Sequence, residues 1–339
     1  MLAYLYLLLF SLAICLPIRV QAQTPQRVTV ENFARAETDH YFGTYVAQGA
    51  LGRFFHLRDV TPLDRQEIVR MNRDTLYSLA IIDLDAGPAT IELPDTGGRF
   101  MSLLLIDQDH YNPAVYYAPG KHRFTRAEIG TRYLGLAVRT FLNPNDPSDV
   151  AAARAAQDGL RIEQPGGPGR WDPAKWDAAS QEALRKALSE LAPFADFKNG
   201  FGQRGQVDPV AHLVATAAGW GGNPSHAAIY LPIFPPQASA SQAWRMRFTD
   251  VPVDGFWSVT VYDQRGFMVP NPRNAVAINN VTARRGADGA VTVQFGGCTE
   301  AIENCLPIPP QWNALLRLYR PRAEIIEGRW IAPTLEALR

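Results

Sequence analysis

The chain has 339 residues, 47% of them hydrophobic and 19% charged, a composition that excludes disorder and leaves room for two domains. Its 33 basic residues equal its 33 acidic ones, which removes any electrostatic ground for binding nucleic acid or an acidic membrane surface. Glycine and proline, 26 each, punctuate the sequence in the manner of short strands joined by turns.

Residues 1–22 read as a signal peptide: Leu2–Ile18 is apolar and uncharged, and Val20-Gln21-Ala22 offers small residues where signal peptidase inspects. Cleavage would start the mature chain at Gln23, periplasmic or secreted, with no membrane contact afterwards. An uncleaved anchor is the alternative, because no Lys or Arg precedes the apolar run. Glu31–Gln48 sets Phe33, Ala34, Tyr41, Phe42, Tyr45 and Val46 on one helical face, with Asp39 and His40 elsewhere.

Strands are expected at Leu79–Leu84, Thr90–Leu93, Arg99–Ile106 and Tyr133–Phe141, a sandwich pattern without βαβ alternation. Residues 23–145 thus form an N-terminal helix and a first β-sandwich domain. Residues 146–222 read as a helical insertion. One helix is capped by Ser148, a second by Asp172 with Pro173 behind it, and His212–Ala218 is a third that breaks at Gly219-Trp220-Gly221-Gly222. Residues 223–339 return to strands at Ala243–Phe248, Trp257–Asp263, Val291–Phe295 and Ala314–Tyr319, forming a second β-sandwich domain. In the second of these, Trp257, Val259 and Val261 face one side and Ser258, Thr260 and Tyr262 the other, which predicts one buried face. A turn at Asp263–Gly266 predicts a hairpin running back to Pro270.

With residues 1–22 removed, Cys298 and Cys305 are the two remaining cysteines, and in an oxidising compartment they are expected to form a disulfide. Neither a metal nor a cofactor is indicated, since the histidines are scattered singly. Candidate ligand-binding residues are Asn72, Arg73, Asp74 and Tyr77, a dense polar run that could line a cleft or equally fix a buried turn. Asp107, Asp109 and His110 leave a strand end together; they could bind a divalent metal or act as acid and base, or satisfy loop amides with His110 a surface or capping residue. Trp220, between glycines, is expected to be exposed, and Trp220 and Tyr262 could stack on a sugar, while Trp257 belongs to a core.

The run Asn72-Arg73-Asp74-Thr75-Leu76-Tyr77-Ser78, with Asp83-Leu84, Gly87-Pro88 and Arg99-Phe100, resembles the family called domain of unknown function 1254. Phe256–Asp263, Asn271-Pro272, Asn304-Cys305-Leu306-Pro307, Leu316–Tyr319 with Pro321, and Trp330 with Pro333 resemble its usual C-terminal companion, domain of unknown function 1214. Cys305 stands where that family has tryptophan, and Asn274-Ala275-Val276 replaces its Arg-Tyr-Ser. The resemblance implies a mainly β protein of two jelly-roll-like sandwiches with helices between them, and no agreed activity. Two functions follow as expectations. The first is binding of a small molecule or carbohydrate at the cell envelope. The second is a hydrolase whose carboxylate, Asp74 or the Asp107–His110 group, meets Tyr262 and Arg317 at the domain junction.

Overall fold

The computed structural model describes residues 24–66, 70–236 and 238–338, so the expected signal peptide 1–22 and Gln23 lie outside the described residues. The first domain opens with helix α1 (Phe33–Ala47), followed by β1 (Phe55–Leu57), β2 (Thr75–Asp83), β3 (Ala89–Leu93), β4 (Met101–Asp107), β5 (Val115–Tyr117) and β6 (Gly120–Phe124). A short helix α2 (Arg126–Ile129) and strand β7 (Tyr133–Phe141) complete this part. Every residue of β4 and β7 is buried, because their sheet, ordered β1-β2-β7-β4-β5, is covered on both faces. On one face Ile82, Leu103, Leu136 and Val138 pack against Ile91 and Leu93 of β3 in a smaller sheet. On the other, Leu79, Ile81, Leu104, Ile106 and Ala137 pack against Phe42 of α1.

The segment 146–222 is not a separate layer between the domains. Helix α3 (Pro147–Asp158) leads into β8 (Arg161–Glu163), which pairs with β3 and completes the small sheet β6-β3-β8. Helices α4 (Ala178–Glu190) and α5 (Pro209–Gly219) pack with α1 beside the first sheet. Two helix starts differ from expectation for a local reason. Asp146, not Ser148, caps α3, with Pro147 at its first turn and Oδ1 accepting from the Ser148 and Asp149 amides. Asp177, not Asp172, caps α4, because residues 175–177 are held extended by backbone bonds to Gln26. On α1, Asp39 is buried rather than outward, its carboxylate accepting from Gln108 and from the Trp176 indole.

The second domain comprises β9 (Ala228–Ile233), β10 (Trp244–Phe248), β11 (Trp257–Tyr262), β12 (Ala277–Asn279), β13 (Val291–Phe295), β14 (Cys305–Leu306), β15 (Asn313–Tyr319), a short helix α6 (Ala323–Ile326) and β16 (Glu336–Ala337). Sheets β14-β13-β10-β16 and β12-β11-β15-β9 face one another, and Met246, Trp257, Val259, Val293, Phe295, Trp312 and Leu316 fill the space between them. Trp257 is core, as its alternation with valines predicts. The Asp263–Gly266 turn forms, with the Gly266 amide bonded to Asp263 O, but no hairpin follows. β11 pairs with β12 and β15 instead, and residues 267–270 contribute no strand. Cys298 and Cys305 are joined as a disulfide, Cα atoms 5.6 Å apart.

Candidate functional site

Every residue of β11 is buried, including the polar set Ser258, Thr260 and Tyr262, which sequence reasoning placed on an open face. The reason lies in the other domain. One row of directly paired residues, Asn279, Ser258, Arg317 and Tyr230, crosses the second domain's sheet from β12 to β9. Another row, Tyr77, Arg139, Ser102 and Tyr117, crosses the first domain's sheet from β2 to β5. Hydrogen bonds tie the two domains along these faces: Asn72 Nδ2 donates to Tyr319 Oη at 3.4 Å, and Arg139 Nη1 donates to Asn223 Oδ1, whose own amide donates to Tyr230 Oη. An aromatic plug of Phe100, Phe141, Phe256 and Tyr319 seals one side of the polar rows.

Arg317 is the hub. It is 2% exposed, and its guanidinium donates to Thr260 Oγ1 at 2.9 Å, to Arg70 O at 2.5 Å and to Tyr262 Oη at 2.5 Å. Burial alone would weaken its charge, but the Tyr262 and Tyr319 hydroxyls and Asp74 hold it protonated. Tyr262 Oη in turn donates to Met71 O, so the segment before β2 is clasped by the second domain. Burial pushes the Tyr262 and Tyr319 phenols upward, which keeps both neutral.

The polar run divides between structure and site. Asn72 is a turn-former: its Oδ1 accepts from the Asp74 and Thr75 amides, and its Nδ2 donates to Tyr77 Oη. The Tyr77 ring lies under the Arg139 guanidinium. Asp74 is different. It is 2% exposed; Oδ1 accepts from Asn279 Nδ2 at 3.0 Å, while Oδ2 has no hydrogen-bond partner among the described residues. Burial raises its pKa, opposed by the Asn279 amide, by the neighbouring Ser258 hydroxyl, which is itself buried without a full hydrogen bond, and by the Arg317 charge. Arg73, half-buried, gives one bond to Asn274 Oδ1 at 3.2 Å and leaves Nε buried without a partner; desolvation lowers its pKa.

Asp74 and Arg73 line a pocket of about 310 Å³ between the domains. Pro144 and Asn145 wall it from the first domain. Arg273, Asn274, residues 275–279, Arg284 and the disulfide loop at Glu303–Cys305 wall it from the second. A second pocket, of about 440 Å³, lies between residues 27–29 and α4; its hydroxyl on α4, Ser180, already accepts from the Val28 amide.

The remaining candidates lie elsewhere. Asp107 is buried, with Oδ1 on the Asp109 and Tyr111 amides, and Asp109 is bound by Arg35 and Arg204 at 2.7 and 2.6 Å. Burial raises the Asp107 pKa; it acts on Asp109 too, but there the two arginines prevail and the carboxyl stays below its usual range. His110 is fully buried rather than at the surface. Its Nε2 accepts from the Gly221 amide, so Nδ1 carries the proton and donates to Thr216 Oγ1 at 2.8 Å, a neutral imidazole in keeping with a pKa pushed well down by burial. Trp220 is half-buried, not exposed: it stacks on Tyr41 and His110 and donates to Thr38. This group knits α1 and α5 to the end of β4. Asn279, Ser258, Thr260, Arg139 and Arg273 were not singled out from sequence. The available signal was a lone arginine in each of two aliphatic strands, Tyr133–Phe141 and Asn313–Tyr319.

Two β-sandwiches, antiparallel except for the β13–β14 pair, with a polar pocket at their junction define a mainly β, two-domain class of protein. Residues 51–123 match the family described as protein of unknown function DUF1254, and residues 236–323 match protein of unknown function DUF1214. The two matches follow one another along the chain, the first in the N-terminal half and the second in the C-terminal half. The fold is similar to the crystal structure of the VPA0106 protein from Vibrio parahaemolyticus, at TM-score 0.68 and 19% identity over 91% of this chain and 98% of that one. It is similar also to an uncharacterised protein from Burkholderia cenocepacia, at TM-score 0.54 and 16% identity over 91% of this chain and 87% of that one. No curated protein matches the chain.

Proposed function

We propose that this protein binds a small polar molecule, carbohydrates included, in the junction pocket. The observation that carries the reading is Asp74, a buried carboxyl whose Oδ2 has no partner among the described residues on the wall of a pocket. Leaving a buried acceptor unpaired costs about 1–3 kcal/mol, and a ligand hydroxyl would supply the missing bond. Hydrolysis finds less support. The lining residues include no histidine, and the Asp107–His110 group is engaged with α1 and α5, so Asp74 has no acid–base partner beside the pocket among the described residues.

Export to the periplasm or cell exterior is part of the reading. It is supported by the Cys298–Cys305 disulfide and the apolar residues 2–18, and among the described residues no helix is long and apolar enough to cross a membrane. A metabolite library screened by thermal shift, with hits titrated against wild type and Asp74→Asn, tests the pocket. A ligand that binds both proteins equally well would refute it.

A further inference from the structure

Resting on that reading, we infer that the junction pocket is built for a hydroxy acid, a sugar acid in shape and size, with a hydroxyl on Asp74 and the carboxylate on Arg73 and Arg273. The two unpartnered atoms set the pattern. Asp74 Oδ2 needs a donor, and Arg73 Nε, buried and unpaired on the adjacent residue, needs an acceptor. A ligand that satisfies both carries a donor and an acceptor close together.

The charges decide which donor and which acceptor. Three arginines line the pocket against two carboxyl groups, Asp74 and Glu303. Behind the wall, Arg317 and Arg139 are both buried and bond neutral oxygens: Thr260, Tyr262 and Arg70 O for the first, Asn223 and Gly221 O for the second. Arg73 and Arg273 likewise bond neutral oxygens, of Asn274 and of Thr299 and Ile302. Of the lining arginines Arg284 alone, among the described residues, faces a carboxylate, Glu303 at 3.7 Å. The interior is therefore electropositive, which disfavours an ammonium at Asp74 and favours a hydroxyl there. The same field favours an anionic acceptor at Arg73, whose half-buried guanidinium regains in a carboxylate what desolvation took from it.

The test is isothermal titration of the purified protein with D-glucuronate, glucose and glucosamine as probes. Glucuronate is expected to bind at least about ten-fold more tightly than glucose, the scale of one charge-assisted hydrogen bond, and to weaken with added salt. Glucosamine is expected to bind more weakly than glucose. Arg73→Gln should bring glucuronate to the level of glucose while leaving glucose unchanged; Arg273→Gln, on an exposed side chain, is the second variant and should weaken glucuronate more than glucose. Glucose binding as tightly as glucuronate, with Asp74→Asn abolishing both, would overturn the acid while the pocket stands. Failure of glucuronate and of glycolate, a smaller hydroxy acid, to bind would also overturn it. A glucuronate affinity indifferent to Asp74→Asn would remove the pocket reading as well.

Discussion

Asn279 Nδ2 donates to Asp74 Oδ1 at 3.0 Å across the domain junction, and the orientation of that amide is fixed from behind. Asn279 Oδ1 accepts from the Val281 and Thr282 amides, so only its NH₂ can face the carboxyl. Asp74 is thereby held by one oxygen from a preset donor, while its other oxygen is buried without a full hydrogen bond on the pocket wall.

This arrangement predicts an inverted mutational response. Burial lifts Asp74 above its ordinary value of 3.8, so the folded state holds the proton more tightly than the unfolded chain. The stability this group contributes is complete below the unfolded pKa and is lost as pH rises through the folded one. Asp74→Asn removes that loss. Relative to wild type the variant should gain stability between about pH 4 and neutrality, by roughly 1.4 kcal/mol for each tenfold by which folding tightens the hold on the proton, while losing ligand. Urea unfolding of both proteins across that range checks it; parallel stability curves would show that the carboxyl carries no such strain.

The loop that supplies Pro144 and Asn145 to the pocket is held by Asp149. Its carboxylate takes both arms of Arg99, at 2.6 and 3.0 Å, and also accepts from the Asn143 amide at 2.6 Å. Arg99 keeps the Asp149 pKa low, so this contribution is present above its ordinary value of 3.8 and vanishes as pH falls through the folded value. Asp149→Ala is expected to cost about 1.5–3 kcal/mol, the range for hydrogen bonds to charged groups. Amide exchange at Asn143, measured by mass spectrometry, should accelerate in the variant; unchanged protection would place the anchor elsewhere.

Much of the sandwich architecture is legible because its strands are long and patterned. Tyr133–Phe141 and Val291–Phe295 match their expected limits, and the others shift by a residue or a few. Strands of two or three residues, such as β8 and β14, carry too few positions to reveal a period. The site was half legible. Ser258, Thr260 and Tyr262 alternate plainly, yet what covers them is β2 and the loop before it, far earlier in the chain, and periodicity holds no information about distant partners. Asn279 reads like any turn asparagine beside Asn280. Asp107, Asp109 and His110 form a conspicuous group whose partners, Arg35, Arg204 and Thr216, come from three separate segments.

The disulfide predicts a measurable loss on removal. Its short loop, closed between positions seven apart, corresponds to about 2–2.5 kcal/mol of unfolded-chain entropy. Replacing Cys298 and Cys305 together with serine should lower stability by that order in urea unfolding. Because Glu303, Asn304 and Cys305 wall the pocket, the same variant should bind ligand more weakly. A variant as stable as wild type would mean that the loop is closed equally well by its other contacts, among them the Asn304 amide donating to Arg284 O.

Arg317 predicts how firmly the two domains are coupled. Its bonds reach Thr260 and Tyr262 in its own sheet and the Arg70 carbonyl in the other domain, and Tyr262 Oη continues the chain to Met71 O. Substituting a well-packed apolar residue is often tolerated where both members of a buried ion pair are replaced together. Arg317 bonds only neutral acceptors among the described residues, and Arg317→Met would strand all of them at once, including a backbone carbonyl at the junction. The expected cost is about 3–5 kcal/mol. Lysine should rescue little, since one ammonium cannot reproduce a planar fork spread over three acceptors. Because the lost bonds cross the junction, the wild type is expected to melt in one calorimetric transition and Arg317→Met in two, with the first domain released from the second. A variant that still melts in one step within about 1 kcal/mol of wild type would mean that the aromatic plug of Phe100, Phe141, Phe256 and Tyr319 holds the domains together unaided.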